Sequence, residues 1–200
     1  MNTDQHTWWY LSRASGIIAW LVIAATCLWG ILLITRMLKP ADRPAWLLDL
    51  HKHLGLLSIL ATLGHVLFLL KDDWMQPTLA ELLVIGKFDG DRPNPMQADM
   101  PLAIDIGLVA LYLLVVIQLT SYAMKKLPKR LWRAVHLTSY GVLLLGTIHG
   151  LMVGTDTSNM VLLMCMAGII GVVLFALIAR ILQGRAKRIQ REQSNALRGA

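Results

Sequence analysis

Four histidines stand inside long apolar stretches of this 200-residue chain, and they are the residues best suited to chemistry. His51 and His65 lie in one stretch, and His136 and His149 lie in another. Histidine inside a bilayer is costly, so it is usually paired, liganded or functional. Each stretch carries one histidine near either end, which suggests two pairs of axial ligands for two stacked haems.

The spacing in the first stretch places two histidines on one helical face. His51 and His65 are 14 residues apart, which corresponds to a rise of ~21 Å and an azimuthal difference of only ~40°. His53 lies ~120° away from His65, so the helical phase favours His51 as its partner. We expect His53 to be interfacial or to support the site indirectly, and His6 to be exposed.

The spacing in the second stretch fits less well. His136 and His149 are 13 residues apart, a rise of ~20 Å, but their phase on an ideal helix is ~220°. Helix tilt, a local distortion near Gly141 or Gly146, or different ring rotamers would have to absorb the mismatch. Glycines in both stretches either admit a flat macrocycle or serve plain helix packing, and they are Gly55, Gly64, Gly141, Gly146 and Gly150.

The composition predicts an all-α integral membrane protein. Hydrophobic residues make up 56% of the chain and charged residues 16%, which is too apolar for a soluble domain. A spanning helix needs ~20 apolar residues. Five windows meet or approach that length, namely 14–35, 53–70, 106–124, 134–155 and 157–179. We therefore predict a bundle of five transmembrane helices, and the two histidine pairs predict that it binds two b-type haems.

The charge distribution predicts the orientation of this bundle. Basic residues concentrate in 36–52, 125–133 and 180–200, whereas seven of the twelve acidic residues lie in 71–105. This alternation is the positive-inside pattern, and it places the N-terminus outside and the C-terminus in the cytoplasm of a plasma or inner membrane. The net charge of +7 thus reflects topology and membrane lipid rather than nucleic-acid binding.

The chain divides into three segments on this reading. Residues 1–13 form an external N-terminal segment, 14–182 the transmembrane haem domain, and 183–200 a basic cytoplasmic tail. Residues 77–86 begin with proline and end with glycine, which predicts a short helix on the external surface.

Both histidine-bearing helices run from the cytoplasm outwards in this topology. His51 and His136 then lie at similar depth near the inner side, and His65 and His149 near the outer side. A haem with imidazole on both faces has no open iron site, so it suits electron transfer rather than oxygen binding.

Four basic residues are candidates to pair with haem propionates. Lys52, Arg130 and Arg133 stand near the inner histidines, and Arg13 stands near the outer level. Their alternative role is as ordinary positive charges that set the topology.

Several short motifs between residues 10 and 180 resemble a known family. They are Arg13-Ala14-Ser15-Gly16, Leu50-His51-Lys52 with His65, Ala80-Glu81-Leu82-Leu83, Trp132-Arg133-x-x-His136, and His149 with Gly154-Thr155-Asp156. With them the chain resembles the ferric reductase-like transmembrane domain family, which is related to NADPH oxidases and ferric reductases. The resemblance implies haem ligation by the pairs His51/His136 and His65/His149. It also implies that electrons pass from the cytoplasmic side to an external acceptor.

The resemblance also implies which electron donors and acceptors the protein would use. Larger members carry a flavin and nicotinamide domain after the last helix, whereas only a basic segment follows here and no glycine-rich dinucleotide fingerprint is present. We expect no FAD or NAD site, and a separate flavoprotein or quinone as donor. The leading function is an oxidoreductase component of ferric reductase type. One alternative is a haem-b subunit that supplies electrons to a separate external enzyme, as in methionine-sulfoxide reductase systems. Another is a metal transporter that uses the histidines directly.

Overall fold

The computed structural model describes residues 4–35, 44–72, 76–88, 100–154 and 158–199, and the regular secondary structure of these residues is entirely helical. The helices are α1 (Asp4–Thr35), α2 (Pro44–Leu69), α3 (Met100–Tyr122), α4 (Lys129–Leu137), α5 (Ser139–Val153) and α6 (Met160–Gly199).

Five helical segments are long and apolar enough to cross a membrane, which confirms the predicted all-α fold with five spans. They are Thr7–Thr35, Ala45–Leu69, Met100–Tyr122, Lys129–Val153 and Met160–Arg198. The fourth span consists of α4 and α5 together. Large apolar side chains cover the outside of the bundle, including Leu60, Leu67, Leu119 and Phe175. Such a surface suits lipid because it is apolar. The backbone is also compatible with lipid, since each helix satisfies its own backbone hydrogen bonds.

The helices pack as two hairpins with a fifth span beside them. α1 packs closely against α2, α3 packs against α4 and α5, and α6 lies against α1 and extends the bundle. Cys27 and Ile31 of α1 join Leu143 of α5 and Val173 of α6 in one buried cluster. A second cluster, built on Leu114, Ile117 and Val142, fills the interior between α3 and α5.

The segment from Pro77 to Gly86 is folded, but the predicted surface helix is wrong. Its residues form successive turns rather than an α-helix. Thr78 and Glu81 make the reciprocal hydrogen bonds of a capping box, with Thr78 N–H donating to Glu81 Oε2 at 2.7 Å. Gly86 then ends the segment with φ of 75°. The N–H groups of Leu82 and Val84 still donate to carbonyls four residues earlier, but the carbonyl of Leu83 and the N–H of Gly86 bond to side chains of α3.

Two contacts attach this segment to α3. The hydroxyl of Tyr112 donates to the carbonyl oxygen of Leu83, and the Gly86 N–H donates to Asp105 Oδ1 at 2.8 Å. The loop predicted to follow it at 87–101 lies mostly outside the described residues, which resume at Met100.

Both ends of the bundle contain more helix than the sequence predicted. α1 begins at Asp4, so most of the predicted external segment 1–13 belongs to the first helix. α6 runs to Gly199 rather than ending near Leu182. Lys, Arg, Gln and Ala are good helix formers, and the Arg188–Glu192 ion pair at 2.8 Å spans one turn of this extension. The basic segment 183–200 is thus helical as far as the structure describes it.

The fourth span is interrupted at Thr138, where α4 ends and α5 begins. The Thr138 N–H donates to the carbonyl oxygen of Val135 at 3.0 Å, three residues earlier. A three-residue step of this kind belongs to a 3₁₀ turn, which rotates the chain by ~120° per residue instead of ~100°. The interruption lies between His136 and His149, three residues before Gly141. Its extra rotation increases the angle between the two histidines beyond ~220°, towards the full turn that would place them on one face.

Candidate histidine site

The histidine rings meet in two pairs across the bundle. His51 of α2 faces His136 of α4 with 5.9 Å between ring centroids, and we call these residues the first pair. His65 of α2 faces His149 of α5 at 6.3 Å, and these are the second pair. The ring planes cross at 70° and 81° respectively. The structure thus brings together the residues that the sequence paired by depth.

A gap separates the helices that carry the two pairs. No Cα atom of α2 comes within 8 Å of a Cα atom of α4 or α5, although the rings reach towards each other from both sides. Helix axes in direct contact are usually 8–10 Å apart, with interlocking side chains between them. The imidazoles therefore project into a space that α2 and its opposite helices do not fill by packing together.

Three of the four rings are held by a backbone carbonyl of the helix behind them. His51 Nδ1 lies 3.1 Å from the carbonyl oxygen of Thr26, and His65 Nδ1 lies 2.8 Å from that of Ser12. On the other side, His149 Nδ1 lies 2.7 Å from the carbonyl oxygen of Ala103. A carbonyl oxygen only accepts, so Nδ1 carries the hydrogen and donates it. The neutral ring then presents an unprotonated Nε2, which is the atom free to bind a metal.

A glycine four residues after each carbonyl makes this contact possible. Gly16 follows Ser12, Gly30 follows Thr26, and Gly107 follows Ala103. In an α-helix the carbonyl of residue n points towards residue n+4, so a side chain there would stand between the oxygen and an approaching ring.

The distances show how closely these rings approach the glycines. A Cβ at Gly107 would lie 2.7 Å from His149 Nδ1, one at Gly16 would lie 3.0 Å from His65 Nδ1, and one at Gly30 would lie 3.2 Å from His51 Cε1. A side chain at position 107 would therefore displace the His149 ring, whereas one at position 16 or 30 would require the neighbouring ring to move by a few tenths of an ångström.

The fourth ring is held differently. His136 Nδ1 lies 3.4 Å from the hydroxyl oxygen of Ser121 on α3. On its other side, the His136 ring stacks on the indole of Trp132, with centroids 5.2 Å apart and planes inclined by 24°.

The remaining histidines do not enter either pair. His53 is exposed, and its Nδ1 lies 2.7 Å from the carbonyl oxygen of Asp49 in its own helix. The structure therefore places His51, and not His53, opposite α4, as the phase argument predicted. The side chain of His6 lies outside the described residues.

Two cavities adjoin the second pair. The larger has a volume of about 320 Å³ and the smaller about 120 Å³. Both are lined by His65, His149, Gly16, Trp20 and Gly146. The walls are predominantly apolar, as suits a flat, mostly hydrophobic ligand. Of the glycines singled out in the sequence, Gly146 lines both cavities, whereas a Cβ at Gly141 would meet no atom within 4 Å.

The predicted propionate partners are distributed unevenly. Arg13 lines the larger cavity, and its guanidinium carbon lies 4.1 Å from the centroid of the Trp9 ring. Lys52 forms an exposed ion pair with Asp49 at 3.2 Å. Arg130 and Arg133 are exposed. Of the four candidates, only Arg13 lines a cavity that contains a histidine pair.

Three polar groups lie near the first pair, and only that of Trp132 belongs to a motif noted in the sequence. Arg180 of α6 donates to the hydroxyl of Tyr140, one turn beyond His136, at 2.8 Å. The Nε1 atoms of Trp29 and Trp132 are buried without an acceptor among the described residues. Buried indole N–H groups normally have a partner, so these two donors suit a ligand that brings acceptor oxygens. Their burial could not be read from the sequence.

The donor set limits the kind of metal centre that fits. Within the described part of the chain, no three histidine, cysteine or acidic side chains come together as a metal-binding group. Bare divalent ions usually require more protein ligands than two. Two imidazoles on opposite sides match a centre whose other ligands come from a macrocycle.

Comparisons with known proteins give a family without an assigned function. Residues 7–156 match the family described as a domain of unknown function, DUF8596. No curated protein and no solved structure matches the chain.

Proposed function

The chain belongs to the DUF8596 family, whose description assigns no function. From the histidine site, we propose that the protein is a membrane cytochrome that binds two b-type haems. The first pair and the second pair would each supply the two axial ligands of one haem. When bound, the haems would provide one-electron transfer between the two sides of the membrane.

The separation of the rings carries this proposal. Two imidazole nitrogens that bind one iron from opposite faces lie ~4 Å apart, given iron–nitrogen bonds of ~2 Å. Adding the distance from each nitrogen to its ring centre gives roughly 6 Å between centroids. The observed centroid distances are 5.9 Å and 6.3 Å. Direct edge-to-face contacts between rings also fall at ~4.5–7 Å, so the support for the proposal lies in the same separation at both levels.

The hydrogen bonds at Nδ1 support the same interpretation. Metal-binding histidines almost always donate the second ring N–H to a carbonyl, carboxylate or water, which fixes the tautomer and orients the ring. Three rings in this protein donate to a backbone carbonyl. In each of these rings Nδ1 is occupied by the carbonyl, so Nε2 is the nitrogen left to bind a metal. Packing alone does not explain why three rings share this arrangement.

The surrounding residues fit the rest of a haem. Gly16, Gly30 and Gly107 admit the rings, and the apolar cavity walls beside the second pair suit the macrocycle. Propionates need donors, which Arg13 would supply at the second pair. Arg180 and the buried indole N–H groups of Trp29 and Trp132 would serve near the first pair.

The reaction class follows from the ligand set and the helix geometry. With imidazole on both faces the iron would have no position for substrate, so the donor and acceptor would exchange electrons at the haem edges. The positions of His51 and His65 separate the two levels by ~21 Å along α2. Charge asymmetry of the connections favours electron entry at the first pair, on the cytoplasmic side, from a separate flavoprotein or quinone.

Both redox roles suggested by the resemblance to ferric reductase-like domains use this same site. An external metal such as ferric iron would be the acceptor in the first role, and a separate external enzyme in the second. The absence of a third metal-binding side chain at either pair among the described residues favours both of them over direct metal transport.

The test is the haem content and spectrum of the purified protein and of four variants. We expect two b-type haems per chain. Because a pair of opposing rings serves one iron, His51→Ala and His136→Ala should lose the same spectral component, and His65→Ala and His149→Ala should lose the other. Low-temperature difference spectra and redox titration would assign the components.

Two results would contradict the proposal. One is wild-type protein that contains no haem when produced in cells supplied with haem precursor. The other is a crossed result, in which His65→Ala and His136→Ala remove the same component. If the haems are found, the acceptor can be identified with reduced protein in proteoliposomes. Ferric chelates or a soluble external enzyme would be added outside, and oxidation of the haems would be followed.

A further inference from the structure

The helix behind each histidine repeats one arrangement at three of four positions. A backbone carbonyl at residue n accepts from Nδ1, and glycine stands at n+4: Ser12 with Gly16, Thr26 with Gly30, and Ala103 with Gly107. On α1 the two glycines are 14 residues apart, as are His51 and His65. On α3 the residue 14 positions after Gly107 is Ser121, and the corresponding carbonyl belongs to Ile117.

Ser121 therefore occupies the place of a fourth glycine, and the ring beside it changes partner. His136 Nδ1 lies 3.4 Å from the Ser121 hydroxyl oxygen instead of meeting a carbonyl at 2.7–3.1 Å. Hydrogen bonds between nitrogen and oxygen are normally 2.7–3.2 Å long. The bond to His136 is the longest of the four, and its partner is a neutral hydroxyl that can also donate.

The second hydroxyl nearby does not explain this difference. Thr120 donates to the carbonyl oxygen of Ile117 at 3.1 Å, so that oxygen already accepts one side-chain hydrogen bond. However, Ser15 donates to the carbonyl oxygen of Ser12 at 2.9 Å in the same way, and His65 still binds that oxygen. A carbonyl has two lone pairs and accepts both. A side chain at n+4 is a feature that the other three positions lack.

The strength of the Nδ1 hydrogen bond affects the metal. A strong acceptor at Nδ1 makes the imidazole a more basic ligand, and a more basic ligand stabilises the oxidised iron over the reduced iron. Second-shell hydrogen bonding is one of the levers by which a protein sets a haem potential. A weak acceptor at His136 should thus leave the haem of the first pair easier to reduce.

We propose that Ser121 is a positioning residue that raises the reduction potential of the haem at the first pair, because it denies His136 the backbone carbonyl that the other three ligands use. This inference rests on the proposed function. The haems at the first and second pairs would then differ in reduction potential because of one residue.

Two substitutions at Ser121 should move the potential in opposite directions. Ser121→Gly removes the side chain four residues after the Ile117 carbonyl. On this proposal His136 then gains that carbonyl as a strong acceptor, and the midpoint potential should fall. Ser121→Ala keeps a Cβ at this position and removes the hydroxyl, so His136 loses its acceptor and the potential should rise. Redox titration in a His65→Ala background, in which only the first pair remains, measures this potential without interference.

Thr120→Ala is the matched control, because it removes the neighbouring hydroxyl without uncovering the Ile117 carbonyl, and it should leave the potential unchanged. The proposal is overturned if both Ser121 variants shift the potential in the same direction, or if neither shifts it. It is also overturned if Ser121→Ala loses the haem, since a bond of 3.4 Å should tune the ligand and not retain the cofactor. Wild-type protein without haem would instead refute the proposed function itself.

Discussion

Gly107 is the position at which one added carbon atom should disturb the site most. A Cβ there would lie 2.7 Å from His149 Nδ1 and 2.8 Å from His149 Cε1, whereas ordinary contact begins near 3.4 Å. To bring 2.7 Å up to 3.4 Å, the ring would have to retreat by about 0.7 Å. That movement would stretch its hydrogen bond to the Ala103 carbonyl, which is 2.7 Å long.

The size of the effect follows from these contacts. Forcing a methyl group into a close-packed site costs ~1–3 kcal/mol, and weakening a neutral hydrogen bond, worth ~1 kcal/mol, moves the cost towards the upper end. Since ~1.4 kcal/mol is a tenfold change in affinity, Gly107→Ala should weaken haem binding at the second pair by about fivefold to about 150-fold. The first pair should keep its haem.

The assay is the rate of haem transfer from the purified protein to an excess of apomyoglobin, followed for each spectral component. Gly141→Ala is the matched control, because it makes the same exchange inside a helix where a Cβ meets nothing within 4 Å. Gly16→Ala and Gly30→Ala should have smaller effects in that order, since their Cβ atoms would lie 3.0 Å and 3.2 Å from the nearest ring atom. Gly30→Ala should act on the first pair.

Three outcomes would refute the reasoning from close approach. Gly107→Ala could release haem at the wild-type rate, which would mean that the ring does not need the space. Gly141→Ala could show an equal loss, which would mean that helix propensity dominates. The order of the three glycine variants could be reversed, which would separate the effect from the distances.

Three further predictions concern the ligand choice, the ring planes and the topology. His53→Ala should retain both haems, because His53 is exposed and bonds the Asp49 carbonyl of its own helix; loss of one haem in this variant would contradict the assignment. The oxidised protein should give strongly anisotropic low-spin EPR signals, because ring planes crossed at 70° and 81° leave two iron orbitals nearly equal in energy; a rhombic signal typical of parallel planes would contradict this. A cysteine at Lys126 should be labelled only from the cytoplasmic side and one at Asn94 only from outside, and labelling of position 126 in intact cells from outside would reverse the orientation.

Periodicity predicted the parts of the fold that depend on one helix at a time. The five spans follow from apolar length alone, and the choice of His51 over His53 follows from the angle between residues on one helix. The phase of His136 and His149 could not be resolved in this way. The turn at Thr138 contributes to it, and one hydrogen bond that spans three residues instead of four leaves no trace in the apolar pattern.

The glycines that the histidine rings approach are not those on the helices that carry the paired histidines. Gly30 and Gly107 lie on α1 and α3, which carry no paired histidine, so their role depends on which helices are neighbours. A signal was nevertheless present, because Gly16 and Gly30 repeat the 14-residue spacing of the histidines on α2. The wrong surface helix at 77–86 has a similar origin, since its backbone bonds to α3 could not be foreseen from its own residues.

The two hairpins follow one design, and this explains how the sites are positioned. α1 backs α2, and α3 backs α4 and α5, so each histidine helix runs antiparallel to a helix with contact positions 14 residues apart. Fourteen residues make nearly four turns, so the two contact positions on α1, and likewise those on α3, lie on one face ~21 Å apart. Three of the paired histidines are oriented by main-chain oxygens, whose positions hardly depend on side-chain identity. The Nδ1 atom of His136 instead meets the side-chain hydroxyl of Ser121. If each pair holds a haem, as we propose, the two haems could therefore differ in potential while their separation stays fixed by helix geometry.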